Sequence, residues 1–215
     1  MGQKVNPIGF RLEVSKSPFG WRSRWFAKKD DYKKYVKEDV LIRDLLRDKL
    51  KFAGLVAVGI ERLKKQLKIT IQASRPGVVI GRGGRGLEEI KKELLQIIDP
   101  ATTNKNIELE VEEVKNSELS AKLVADRIAA LLERGRHYRR VVNRAMDSVM
   151  GAGALGVKVI LSGRIAGVEV SRVEKFSQGK VPLSTIRANI DYAETPSLTR
   201  SGYVGVKVYI NRGEE

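Results

Sequence analysis

The stretch Val78-Val79-Ile80-Gly81-Arg82-Gly83-Gly84-Arg85-Gly86 limits what this chain can fold into more than any other. Alternation at Leu67, Ile69, Ile71 and Ala73 predicts a strand that ends just before it. Leu87, Ile90, Leu94 and Ile97 recur at helical spacing, which predicts a helix starting near Leu87. Gly81 and Gly84 give the spacing Gly-x-x-Gly. Two glycines so placed let a tight backbone turn press against a sugar-phosphate chain with no Cβ in the way. The helix start behind the turn offers free N–H groups and a positive dipole end, and Arg82 and Arg85 add full charges. A turn of this kind clamps the backbone of about four nucleotides.

Two other readings compete with the clamp. Gly81, Gly83 and Gly86 also fit G-x-G-x-x-G, with Glu108 near the distance of a ribose-binding acid. That dinucleotide loop requires a strand to run directly into its first glycine, whereas Pro76-Gly77 interrupts the chain here, and no doubly wound strand–helix repeat appears elsewhere. The third reading is a plain glycine-rich helix start. The order of elements favours the clamp. Ile42, Leu45, Leu46, Leu50 and Ala53 predict a helix over about 39–53, closed by Gly54. Val56, Val58 and Ile60 begin a hairpin with the strand at 67–73. The glycine-loop helix pair follows, Asp99-Pro100 closes it, and Ile107, Leu109 and Val111 alternate with Glu108, Glu110 and Glu112 in a third strand. Helix-strand-strand-helix-helix-strand is the type II KH arrangement, assigned to residues 38–114.

The partner class follows from charge. A net charge of +15 over 215 residues, with 41 Lys+Arg against 26 Asp+Glu, points to a polyanion. Residues 115–215 carry +7 of that net charge and the preceding residues +8, so both halves share it. No apolar run approaches the roughly 18 residues of a membrane span, and no secretory signal is expected from the polar start. Met1-Gly2 could open a myristoylation motif, but Asn6 stands where that motif wants Ser or Thr. The absence of cysteine excludes disulfides and thiolate metal sites, and a single histidine, His137, excludes a histidine pair or catalytic relay. No G-x-x-x-x-G-K-[ST] motif for ATP is present. The reading is therefore non-enzymatic, without cofactor or metal.

Residues 1–37 read as a basic arm running into a helix, with ten Lys/Arg against three Asp/Glu. Trp21-Arg22-Ser23-Arg24-Trp25-Phe26 interleaves aromatics with arginines. That alternation suits base stacking and phosphate contact, or equally an arm anchored by Trp21 and Trp25. Lys28, Lys29, Lys33, Lys34 and Lys37 continue the charge.

A boundary is expected near Lys115-Asn116-Ser117, opening a second α+β domain over 115–215. A helix over about 119–133 and another over about 136–149 come first. In the second, Tyr138, Val141, Val142, Ala145, Met146 and Val149 share one side, and Arg136, Arg139, Arg140 and Arg144 the other. Like charges so close repel, which leaves either a polyanion grip or a solvated face. Strand-like runs follow at 157–161, 168–172, 186–192 and 204–210. The domain reads as two helices packed on a mostly antiparallel four-stranded sheet.

With these motifs assembled, the chain resembles the bacterial-type family of the third protein of the small ribosomal subunit, over essentially its full length. The resemblance rests on Gly2-Gln3-Lys4-Val5-Asn6-Pro7-Ile8-Gly9-Phe10-Arg11, Ser23-Arg24-Trp25, Arg75-Pro76-Gly77-Val78-Val79-Ile80-Gly81-Arg82, Ser162-Gly163-Arg164, Gly179-Lys180-Val181-Pro182-Leu183 and Thr185 to Tyr192. It implies a structural, cytoplasmic constituent of the small-subunit head that binds small-subunit rRNA and neighbours ribosomal proteins ten and fourteen. It also implies a second domain that lines the mRNA entrance tunnel and helps unwind structured mRNA. Arg139 and Arg140 match two basic residues of that tunnel, flanked by Arg136 and Arg144. Asn143 stands where the family commonly has lysine, Gly83 replaces a loop lysine, and Ser184 a histidine. The expected RNA-binding loop is Gly81, Arg82, Gly83, Gly84 and Arg85. The expected rRNA contacts are Lys4, Arg11, Arg22, Arg24, Trp25, Lys28, Lys29, Arg164, Arg172, Lys180 and Arg187. A free-standing KH-domain RNA-processing factor or RNA chaperone is the alternative; co-sedimentation with small subunits separates the two.

Overall fold

Asp30 and Asp31 in the first turn of α2 (Lys29–Lys49) and Arg47 and Lys49 in its last complement the helix dipole at both ends. The lysine-rich segment and the helix expected at 39–53 are thus one 21-residue helix, followed by turns that end at Gly54 with φ +69°. The computed structural model describes residues 4–12, 21–63, 66–98 and 106–214. Gly2-Gln3 and the Asp99-Pro100 stop lie outside the described residues. Residues 21–115 and residues 4–12 with 116–214 form two units among the described residues. Residues 1–37 therefore do not act as one arm: 4–12 belong to the second unit and 21–37 to the first.

In the first unit, β1 (Ser23–Arg24) runs parallel to β2 (Leu55–Arg62), which pairs antiparallel with β3 (Gln66–Ala73). β3 then pairs in parallel with β4 (Asn106–Glu113), giving the order β1-β2-β3-β4. The parallel step needs a crossover, supplied by α3 (Pro76–Ile80) and α4 (Arg85–Ile97). Ile42 and Leu46 of α2, Ile90 and Leu94 of α4, and Ile60, Ile69 and Ile71 of the sheet form one buried core. The second residue set of β3 and β4, Lys68, Gln72, Glu108, Glu110 and Glu112, takes the opposite face, because successive side chains alternate.

The second unit begins with α1 (Pro7–Phe10), capped by Asn6, whose Oδ1 accepts from the Ile8 N–H at 2.9 Å, with Pro7 at the first helical position. Helices α5 (Ala121–Glu133) and α6 (Tyr138–Gly151) cover one face of a sheet ordered β6-β5-β8-β7. Its strands are β5 (Gly156–Gly163), β6 (Arg172–Gly179), β7 (Ala188–Thr199) and β8 (Gly202–Glu214), and every pairing is antiparallel. Pro196, which cannot donate to a ladder, sits on edge strand β7. Val157, Val159 and Leu161 face the helices, while Ile160 faces a smaller cluster with Ile190, Tyr209, Val181 and Leu183.

One strand expectation is corrected. Val168 to Arg172 is mostly a connection, with a 3-10 turn at Ile165–Gly167 held by Ala166 at φ +59° and Gly167 at φ +81°. The strand starts only at Arg172, opposite Gly163, and runs to Gly179. Val168 and Val170 alternate as strand residues do, yet both are exposed.

Candidate nucleic-acid interface

The glycine stretch divides into two pairs with different duties. Gly81 has φ +70° and ψ 178°, a conformation open to glycine alone, and a Cβ there would meet the Gly86 nitrogen at 2.9 Å. A Cβ on Gly86 would meet the Val79 carbonyl oxygen at 2.7 Å. These two glycines let α3 and α4 close on each other. Gly83 and Gly84, at φ +62° and +81°, have no atom within 4 Å of a built Cβ. Their backbone is therefore bare toward solvent. Gly84 is the N-cap of the 13-residue α4 and supplies no side-chain cap, so the first N–H groups of α4 remain without a side-chain acceptor. Arg82 and Arg85 are exposed beside it. The helix Pro76–Ile80 stands between β3 and Gly81, which removes the strand-into-glycine junction of a dinucleotide loop.

Residues 21–28 are pinned by one acid. Asp39 Oδ2 accepts from Trp25 Nε1 at 2.9 Å and from Ser23 Oγ at 2.8 Å. Its Oδ1 accepts from Arg62 Nη2 at 2.6 Å, and Glu38 accepts from Arg62 Nη1 at 2.6 Å. Trp25 also packs on Tyr32 and Tyr35 at 5.3 and 5.6 Å between ring centres. The anchoring role weighed for the two tryptophans fits Trp25, while Trp21 is 63% exposed. Arg22, Lys28 and Lys29 are exposed, and Arg24 reaches Glu61 at 3.5 Å.

In the second unit, α6 buries Tyr138, Val141, Val142, Ala145, Met146 and Val149 and exposes Arg139, Arg140 and Arg144, with Arg136 exposed just before it. Among the described residues, Arg136, Arg140 and Arg144 have no carboxylate within ion-pair distance. Arg140 and Arg144 stand at i, i+4, a like-charge spacing that disfavours the free helix by about 0.2–0.5 kcal/mol. Arg139 turns differently. Its Nε donates to the Tyr138 hydroxyl at 3.1 Å, as does Arg172 Nη2 at 3.2 Å, while that hydroxyl donates to Glu174 at 3.0 Å. Arg172 also pairs with Glu174 at 3.0 Å. The arginine helix is thus extended by β6, a link the sequence hides because Tyr138 reads simply as core. His137 stacks on Tyr138 at 5.2 Å between ring centres.

Lys4, Lys180 and Arg187 are exposed, and Arg164 is exposed while donating to the carbonyls of Val168 and Ser201 at 3.2 and 3.4 Å. Arg11, expected as an rRNA contact, is 4% exposed and faces inward. Its Nη1 donates to the Pro7 carbonyl at 3.0 Å and its Nη2 to those of Pro182, Leu183 and Thr185 at 3.3, 2.9 and 2.9 Å. Burial among carbonyls holds its pKa below the ordinary arginine value. This cation latches the 4–12 segment onto the loop before β7 and is not presented to a ligand. Among the described residues, no group of three metal-ligating side chains is arranged to hold an ion, and no helix is long and apolar enough to cross a membrane.

Comparison with known proteins agrees with this geometry. Residues 41–119 match the KH domain family, and residues 128–210 match the family described as ribosomal protein S3, C-terminal domain. The small ribosomal subunit protein uS3 of Persephonella marina is 48% identical over 215 residues, covering 100% of this chain and 92% of that protein. The uS3 proteins of Dichelobacter nodosus and Caldanaerobacter subterraneus subsp. tengcongensis are 46% and 44% identical over 214 residues, covering 100% of this chain and 86% and 93% of theirs. By this full-length similarity the chain belongs to the small ribosomal subunit protein uS3 family.

Proposed function

We propose that this chain is a structural, non-enzymatic constituent of the small ribosomal subunit, working in the cytoplasm within the ribosome. In this reading it binds small-subunit rRNA and grips mRNA at the tunnel entrance. Family membership supports the ribosomal role and rRNA association. The mRNA reading is carried by one observation: Arg136, Arg140 and Arg144 stand exposed without carboxylate partners on a helix whose other face is buried. An arginine on a rigid helix holds a phosphate through paired N–H donors. With no ATP motif, the ridge can bind opened strands and bias a duplex that another motor pulls upon, but cannot drive unwinding itself. The rRNA contacts assigned are the Gly81–Arg85 loop, Arg22, Arg24, Lys28 and Lys29 in the first unit, and Lys4, Arg164, Arg172, Lys180 and Arg187 in the second. Small-subunit ribosomal proteins ten and fourteen are taken as protein neighbours from the family resemblance.

The test is elongation on matched templates with and without a stable hairpin ahead of the tunnel. Arg139→Ala with Arg140→Ala removes two exposed cations and one hydrogen bond to the Tyr138 hydroxyl, which keeps its partners Arg172 and Glu174, so subunit assembly stays near normal. Ribosomes carrying the variant slow on the hairpin template and change little on the unstructured one. Equal slowing on both templates, or none on either, refutes the mRNA role. Asn143→Lys restores a cation at the ridge and strengthens passage through the hairpin.

A further inference from the structure

The face of the second sheet opposite α5 and α6, which Val181 and Leu183 cover in part, carries a second group of cations. The strand register fixes their places. One rung crosses all four strands as Lys175, Ile160, Lys207 and Glu194, and the next as Ser177, Lys158, Tyr209 and Tyr192. Val157, Val159 and Leu161 point to the helices, so Lys158 and Lys175 point away from them as diagonal neighbours on adjacent strands. Carboxylates are unevenly shared across this face. Glu194, on the far edge strand, pairs with Lys207 at 3.6 Å and accepts the Tyr192 hydroxyl at 2.9 Å. Lys158 and Lys175 have no ion pair among the described residues. Lys158 is half-buried, and its pKa is depressed, first by that burial and then by the charges of Lys4 and Lys175. Lys4 therefore lies close enough to be felt. Lys158 and Lys175, neighbouring cations with no acid paired to either, raise the free energy of the unbound chain, and a polyanion relieves that repulsion. β6 is an edge strand, so a backbone can approach Lys175 from the side.

We propose that Lys158 and Lys175 form a further RNA-phosphate site on the face of the second sheet opposite α5 and α6, separate from the arginine helix. The proposal rests on the ribosomal reading above, and charge complementarity names the occupant as rRNA backbone.

The experiment compares full-length wild type, Lys158→Gln with Lys175→Gln, and Lys158→Arg with Lys175→Arg for binding to transcribed small-subunit rRNA across a salt series. Each lost phosphate contact removes about 0.7–0.9 from the slope of log K against log salt, so the Gln variant loses about 1.5. The Arg variant keeps the wild-type slope, and the Gln variant melts at or above the wild-type temperature because a repulsion is gone. A Gln variant with the wild-type slope overturns the site. If Gly83→Asp with Gly84→Asp loses slope in the same assay, the RNA reading survives that failure; a flat salt response of the wild type overturns both. An unchanged slope with poor incorporation into subunits assigns the patch to an acidic protein and overturns the RNA assignment.

Discussion

Replacing Arg62 by methionine tests how residues 21–28 are held beside the KH core. The Arg62 side chain is 2% exposed, and its two partners, Glu38 and Asp39, are 9% and 4% exposed. Its guanidinium also lies 4.6 Å from the centre of the Tyr35 ring. Methionine keeps most of the volume, so the change isolates the charge: two buried carboxylates lose their shared cation. Breaking a buried pair from one side costs about 3–5 kcal/mol. That is a large part of the roughly 5–15 kcal/mol that holds a whole domain together. For a unit of about 95 residues it lowers the melting temperature by ~15 °C or more, at about 4–8 °C per kcal/mol. The chain has two tryptophans, so Trp21→Phe leaves Trp25, bonded to Asp39, as the only indole reporter. Urea unfolding followed by that fluorescence reads the unit directly. Adding Glu38→Gln and Asp39→Asn removes the stranded charges and recovers part of the loss. A loss below about 1 kcal/mol would place the network in water, like an ordinary surface pair, and refute the reasoning.

Two further predictions concern the loop and the alkaline limit. Gly83→Asp with Gly84→Asp meets no neighbouring atom and strains the backbone by about 1–2 kcal/mol per residue; the fold persists by circular dichroism while rRNA affinity falls, whereas Gly81→Ala drives a Cβ into Gly86 and unfolds the turn. Tyr192 has its pKa raised by burial and then by its hydrogen bond to Glu194; the folded state holds that proton, so its stabilisation is complete below the ordinary tyrosine value of about 10 and declines as pH rises above it, and Tyr192→Phe flattens this alkaline loss in pH-dependent melting curves.

Periodicity made the helices and most strands legible, because burial on one face writes itself into spacing. Even the Arg62 network left a trace. Asp39 falls in phase with Ile42 and Leu46 on α2, and Arg62 in phase with Val58 and Ile60 on β2, so each charge sits where its element turns to the core. Opposite charges in core phase on two successive elements signal a buried pair. Other features left no such trace. The two-residue β1 is too short for a period, and its Ser23 both pairs with Ile60 and donates to Asp39. Val168 and Val170 alternate without a partner strand, so pattern alone placed a strand at 168–172, ahead of β6, and missed the paired residues that follow. Arg11 sits in a polar, glycine-punctuated segment and reads as a surface cation. Its burial follows from carbonyls at 182–185, which lie 171 to 174 residues away.

The acids also bear on where the proposed clamp would let a nucleic acid lie on the first unit. Glu108, Glu110 and Glu112 share the sheet face opposite α2 and α4, beside Lys68, Thr70 and Gln72 of β3 in the parallel register. Gln66 donates to Glu108, Lys68 pairs with Glu110 at 2.8 Å, and Gln72 Nε2 donates to Glu112 at 3.1 Å. The hydrogen bond and charge of Lys68 hold the Glu110 pKa below its ordinary value, so it remains ionised at neutral pH. With Arg24 and Glu61 in the same rung as Lys68 and Glu108, two cations against four glutamates leave this face negative, and a phosphate backbone laid on it meets like charge at strand spacing. In the proposed reading, the bare backbone of Gly83 and Gly84, the uncapped start of α4 and the exposed Arg82 and Arg85 attract the same backbone instead. In a chain of net charge +15, a clamp needs this contrast as much as its own cations, since a uniformly basic surface would bind RNA in many orientations. If the clamp binds as proposed, the glutamate ladder orients the RNA: reversing Glu110 and Glu112 to lysine strengthens RNA binding while loosening which face of the unit the RNA contacts.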